Sequence, residues 1–175
     1  FRSAGPLALN SPAYAAEVNE VKALGGDGVV TPSARTATQT YIAKWWQSNP
    51  VVSWNDVARQ LIARNDLDAA ESARVLAMQN LATADAAINT WNDKYHFNFW
   101  RPFQAIRRAA EDGNPATSPD PTWTPVFAAP YPDHVSGHLG LDGSHTAVLR
   151  EFFGNVPAGG YQITSFAVNP GGDAT

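Results

Sequence analysis

Residues 68–95 read DAAESARVLAMQNLATADAAINTWNDKY, and this stretch decides the fold class. Its interior contains neither Gly nor Pro, and Ala, Leu, Met, Gln and Glu, all strong helix formers, dominate it. Asp68 followed by Glu71 is a helix-start pair, so the spacing predicts one long helix from Asp68 to about Tyr95. Val75, Leu76, Met78, Leu81, Ala82, Ile88 and Trp91 give that helix enough apolar surface to sit centrally among others.

The flanking sequence repeats the helical pattern. Ser11-Pro12 is a cap and first-turn pair, opening a helix with Tyr14, Val18, Val21 and Leu24 that ends at Gly25. After a loop through Gly26-Asp27-Gly28, a segment from Ser33 carries Tyr41, Ile42, Trp45 and Trp46, and Pro50 is read as its end. Ser53 with Asp56 resembles a capping box for a short helix bearing Val57, Leu61 and Ile62. Beyond the long helix, Pro102 opens another through Phe103 and Ile106, stopped by Asp112-Gly113.

From Gly113 to Val135 the character changes: Pro115, Pro119, Pro121, Pro125, Pro130 and Pro132 predict a long irregular loop. Such loops are often functional. A last helix begins at Ser136, runs through Leu141, Val148, Leu149 and Phe152, and closes at Gly154. The expectation is an all-α helical bundle, a single domain over residues 1–175, with a Pro-rich loop before its last helix.

Composition narrows the function classes. Of 175 residues, 44% are hydrophobic and 16% charged, which fits a globular chain with a substantial core. The net charge of −4, without a basic run, argues against a nucleic-acid surface, which needs clustered Lys and Arg. No stretch approaches 18 consecutive apolar residues, so no membrane span is expected. The absence of Cys excludes disulfides, thiolate metal sites and a Cys nucleophile. It is compatible with an oxidising compartment or with an oxidising product; the location is left unknown, with secreted or periplasmic slightly favoured.

Two stretches can carry chemistry. In Lys94-Tyr95-His96-Phe97-Asn98-Phe99-Trp100-Arg101-Pro102, two cations stand among five aromatic rings. On a continuous helix Lys94 and Arg101 would share a face, while Pro102 places Arg101 at a helix junction, where its guanidinium can turn inward. Arg offers an oxyanion a planar fork of donors and Lys a point charge. The plainer reading has both cations snorkelling to the surface while the rings pack a core.

The second stretch is Tyr131-Pro132-Asp133-His134-Val135-Ser136-Gly137-His138, which enters the last helix. A helix start presents unpaired N–H groups and a positive dipole end, Gly137 lets an anion approach the backbone, and Ser136 can cap or donate. His138 in the first turn can act as general acid or base. The plainer reading is a Ser cap with a surface His. His138, Asp142 and His145 also fall on one helical face, a spacing that could hold zinc. A solvated face for Asp142 and His145 is the simpler expectation.

In this order, and joined by a Pro-rich loop, the two stretches resemble the signature of the vanadium haloperoxidase and PAP2-type acid phosphatase superfamily. That signature reads K-x6-R-P, then P-S-G-H, then S-R-x5-H-x3-D. Lys94 to Pro102 matches the first part; Val135-Ser136-Gly137-His138 matches the second with Val in place of Pro. The wider text is similar to bacterial haloperoxidase-type members at Asp85-Ala86-Ala87-Ile88, Phe99-Trp100-Arg101-Pro102 and Asp112-Gly113-Asn114-Pro115-Ala116-Thr117. The third part does not occur within residues 1–175, and the resemblance places it beyond them, with the His that bonds vanadium. On this reading the chain is an incomplete domain with no metal ligand of its own.

The resemblance implies vanadate as cofactor. Lys94 and Arg101 would bind its equatorial oxygens, Ser136 and the Gly137 N–H would add hydrogen bonds, and His138 would be the acid/base residue. It implies hydrogen peroxide and halide as substrates and hypohalous acid as product. An acid phosphatase acting on phosphate esters is the alternative within the superfamily, and a non-catalytic relative or fragment with a binding or structural role is another. A homo-oligomer is compatible with all three.

Overall fold

The computed structural model describes residues 2–155, 157 and 159–168. Among them are six α-helices: α1 (Pro12–Leu24), α2 (Ala37–Trp45), α3 (Pro50–Arg64), α4 (Ala69–Phe97), α5 (Pro102–Arg107) and α6 (Gly137–Phe153). A 3-10 turn covers Ala109–Glu111, and the single strand-like feature among the described residues is a bridge between Gly26 and Pro125. The fold class is all-α, as the helical periodicity implied. Among the described residues no helix is long and apolar enough to cross a membrane.

The long central helix forms where expected. The Asp68 carboxylate accepts from Glu71 N–H at 2.9 Å and the Glu71 carboxylate accepts from Asp68 N–H at 3.2 Å, a reciprocal cap for two otherwise unpaired donors. Ser11 caps α1 by accepting from Tyr14 N–H, and Ser136 caps α6 by accepting from Leu139 N–H. Two boundaries differ from the sequence reading. Helix α2 starts at Ala37 rather than near Ser33, and Pro50, read as a terminator, instead opens α3 behind an Asn49 cap. Pro is well suited to a first helical turn, where its missing N–H costs nothing. Ser53 therefore lies inside α3, with its hydroxyl donating to the Thr164 carbonyl at 3.0 Å.

The chain forms two compact units. The first comprises Phe1–Ala37 with Asn92–Val135, the second Thr38–Trp91 with Ser136–Thr175. In the first unit α1 packs on α5, burying Tyr14, Ala15, Ala105 and Ile106, with Trp123 beside them. The first half of the Pro-rich loop is tied down by side-chain hydrogen bonds. Asp112 accepts from Asn114 N–H and the Thr117 hydroxyl, and the Asn114 amide donates to the carbonyls of Leu9 and Ser11. Trp123 donates to the Lys22 carbonyl at 3.1 Å. These bonds satisfy backbone groups that no helix or sheet could serve, so an irregular segment holds one shape.

In the second unit α3 packs along α6. Trp54, Val57, Ala58 and Leu61 of α3 form a core with Val75 of α4 and Leu149 of α6, edged by Phe152, Phe153 and Ile163. Gly140 lets α6 run close to α4: a Cβ there would stand 2.5 Å from the Thr90 hydroxyl.

Candidate oxyanion site

The expected site residues fall into two groups, one in each unit. In the first, α4 ends at Phe97, Asn98 turns the chain with φ +45°, and Arg101 sits in extended conformation as the residue before α5. Lys94 and Arg101 thus share no helical face, contrary to the continuous-helix reading. The turn at Asn98, a residue that tolerates positive φ, brings them together by another route.

Both cations converge on Tyr131. The Lys94 ammonium lies 5.2 Å from the ring centroid and the Arg101 guanidinium carbon 4.7 Å from it, within cation–π range. Lys94 Nζ donates to the carbonyls of Pro132 (3.0 Å) and Asp133 (2.8 Å). Arg101 Nε donates to the Tyr131 carbonyl, and one Nη donates to Asp133 Oδ1 at 2.8 Å. The other Nη has no hydrogen-bond partner among the described residues. Lys94 is 1% exposed, so the snorkelling alternative fails for it.

Burial pulls the Lys94 ammonium below its ordinary value, the charge of Arg101 pushes the same way, and the Asp133 carboxylate opposes both. Two cations held together with one carboxylate leave a positive excess in a partly desolvated place. Such a donor set suits a multiply charged tetrahedral oxyanion, which would supply the missing negative charge. The residues of this unit therefore fit vanadate or phosphate. Sequence reasoning named neither Tyr131 nor Asp133 as part of the cluster. Their one signal was position, an aromatic and an acid just upstream of the Ser136-Gly137-His138 motif.

In the second unit Ser136, Gly137 and His138 stand together at the start of α6. The Ser136 hydroxyl is engaged in capping, and His138 Nε2 lies 3.3 Å from the Ser48 carbonyl oxygen. His138 borders a recess of about 10 Å³ with Trp45, Trp46, Trp54 and Asp142, space for about one water molecule. Further along α6 the solvated-face expectation fails. Asp142 accepts from the Trp54 indole N–H at 2.8 Å, and His145 is fully buried, stacked on Trp54 at 6.3 Å between centroids. Neither His145 ring nitrogen has a hydrogen-bond partner among the described residues. No group of three His, Cys, Asp or Glu able to hold a metal ion occurs among the described residues.

Comparison with known proteins identifies the family. The family model for the VCPO second helical-bundle domain matches residues 74–173, which include all five candidate site residues. Vanadium chloroperoxidase from Curvularia inaequalis is 26% identical over 158 residues, an alignment covering 75% of this chain. The match spans 25% of that relative's length. With more than half of its residues matched, the chain belongs to the vanadium haloperoxidase superfamily, as a member of the family of the VCPO second helical-bundle domain.

Proposed function

We propose that this chain carries the oxyanion-holding part of a vanadate-dependent haloperoxidase, which uses hydrogen peroxide to oxidise halide to hypohalous acid. The observation that carries the reading is the convergence of buried Lys94 and Arg101 on Tyr131, inside the matched residues. Vanadate, when bound, supplies the activation of peroxide toward halide.

The chain's own residues supply binding and proton handling. Lys94 and Arg101 would hold and neutralise the oxygens of such an anion, an electrostatic role that needs donors fixed before the reaction begins. The bonds to Tyr131, Pro132 and Asp133 provide that fixing. By the family resemblance, Ser136 and the Gly137 N–H would add hydrogen bonds to the anion and His138 would give or take a proton.

The test is a pair of assays on the intact polypeptide carrying this sequence: bromide or chloride oxidation with vanadate and hydrogen peroxide, and hydrolysis of a phosphate monoester without vanadate. Halide oxidation that disappears in Lys94→Ala and His138→Ala supports the proposal. Ester hydrolysis alone would assign the same cradle to a phosphatase. Absence of both activities would leave a non-catalytic relative.

A further inference from the structure

A second site lies in the first unit, where α1 and α5 flank a cleft of about 360 Å³, a size ordinary for small-molecule sites. Tyr14, Phe99 and Trp100 give it aromatic walls, and Val18 and Ile106 line it with aliphatic surface. Its charged lining is acidic: Glu17 and Asp133 border it, and no Lys or Arg does. Glu17 has no ion-pair partner among the described residues. Asp133 gives one oxygen to Arg101, and a His134 ring nitrogen is held at 2.8 Å from the Ala4 carbonyl oxygen.

Two polar groups in these walls lack a completed hydrogen bond, the Tyr14 hydroxyl and the Trp100 indole N–H. Burial pushes the Tyr14 phenol up to about 12, helped by the charge of Asp112 and opposed by the nearby Trp100 N–H, so it remains a neutral hydroxyl at ordinary pH. Tyr14 and Phe99 meet edge to face at 6.3 Å, a packing that keeps both rings in place.

We propose that this cleft binds small hydrophobic organic cations, of the class of protonated arylalkylamines. The ring of such a ligand fits among Tyr14, Phe99 and Trp100. Its ammonium is attracted by the Glu17 carboxylate and by the Asp133 oxygen that Arg101 does not hold, with the aromatic lining adding to the attraction. An anionic analogue of the same shape meets the Glu17 carboxylate, and no Lys or Arg lines the cleft to offset it. The proposal goes beyond the haloperoxidase reading: its recognition groups share only Asp133 with the oxyanion-holding cluster, and Glu17, Tyr14, Phe99 and Trp100 belong to the cleft alone.

The experiment is calorimetric titration of the intact chain with 2-phenylethylammonium, neutral 2-phenylethanol and phenylacetate, with Trp fluorescence as a second readout. The cation should bind about fivefold or more tighter than the carboxylate, as a small electrostatic contribution from a solvent-exposed carboxylate implies. Glu17→Gln, at an exposed position, should weaken the cation by about two- to fivefold and leave the alcohol unchanged. Val18→Trp should fill the cleft and abolish binding of all three, while vanadate binding persists. Equal affinity for the three probes, no saturable binding at millimolar concentration, or binding indifferent to Val18→Trp would each overturn the proposal. If Val18→Trp fails to fold by circular dichroism, the Glu17→Gln comparison decides.

Discussion

Arg101 and Asp133 form an ion pair at 2.8 Å, and the same aspartate gives its backbone carbonyl to Lys94. One residue thus orients both cations through different atoms, its carboxylate for one and its main chain for the other. The side chains of the pair are 19% and 38% exposed, so solvent screens it, and its contribution to stability is about 1 kcal/mol or less. Asp133→Asn should therefore lower the melting temperature only slightly. Because the carboxylate raises the Lys94 pKa, its removal should move Lys94 further down, readable by NMR titration of the ammonium. An unchanged Lys94 titration would separate the two residues electrostatically.

Lys94→Met should separate binding from folding. Removing a buried ammonium relieves a desolvation cost and leaves two carbonyls needing water or another donor, opposing effects of about 1–3 kcal/mol. Net stability should shift by about 1 kcal/mol or less, measured by urea denaturation, while oxyanion affinity collapses. A variant that unfolds would make Lys94 a structural residue foremost.

His145 should make the protein acid-sensitive. Burial lowers its pKa to about 4 from an ordinary value of 6.5, and it stacks on Trp54 with no acceptor to stabilise a proton. The unfolded chain binds that proton near pH 6.5 and the folded chain only near pH 4. The stability contributed by neutral His145 is thus complete above about pH 6.5 and is lost as pH falls toward 4. The loss reaches at most about 3 kcal/mol. His145→Phe, which keeps a ring in the stack, should flatten the stability curve across that window. An unaltered slope would place the acid sensitivity elsewhere.

Gly140→Ala should destabilise the second unit by about 1–3 kcal/mol, since the new Cβ would meet the Thr90 hydroxyl at 2.5 Å. Adding Thr90→Ala should recover most of the loss in thermal melts, because the remaining Cβ of residue 90 lies at 3.6 Å, an ordinary contact. Additive destabilisation in the double variant would contradict this packing.

Much of the fold was legible because its punctuation is local. Asp68 and Glu71 cap each other across one turn, Pro102 opens α5, and Ser136 caps α6, all readable from short spacings. The start of α3 was misread because Ser53 and Asp56 imitate a capping box, while the true cap, Asn49, stands beside a proline taken as a breaker. Lys94 and Arg101 were identified by residue type and spacing. What gathers them, the turn at Asn98 and the ring of Tyr131, depends on a loop whose course no periodicity encodes. The polarity of histidine points His145 to solvent; its stacking on Trp54, 91 residues earlier in the chain, is a tertiary contact that no local pattern encodes.

The most direct test of the oxyanion-holding role is a vanadate titration followed by vanadium-51 NMR, with phosphate as competitor, on the intact chain and on Lys94→Met and Arg101→Ala. The account expects saturable binding that phosphate displaces, weakened about tenfold or more in each variant, since each removes a charge-assisted contact worth about 1.5–3 kcal/mol. Binding of equal strength in all three proteins would contradict it.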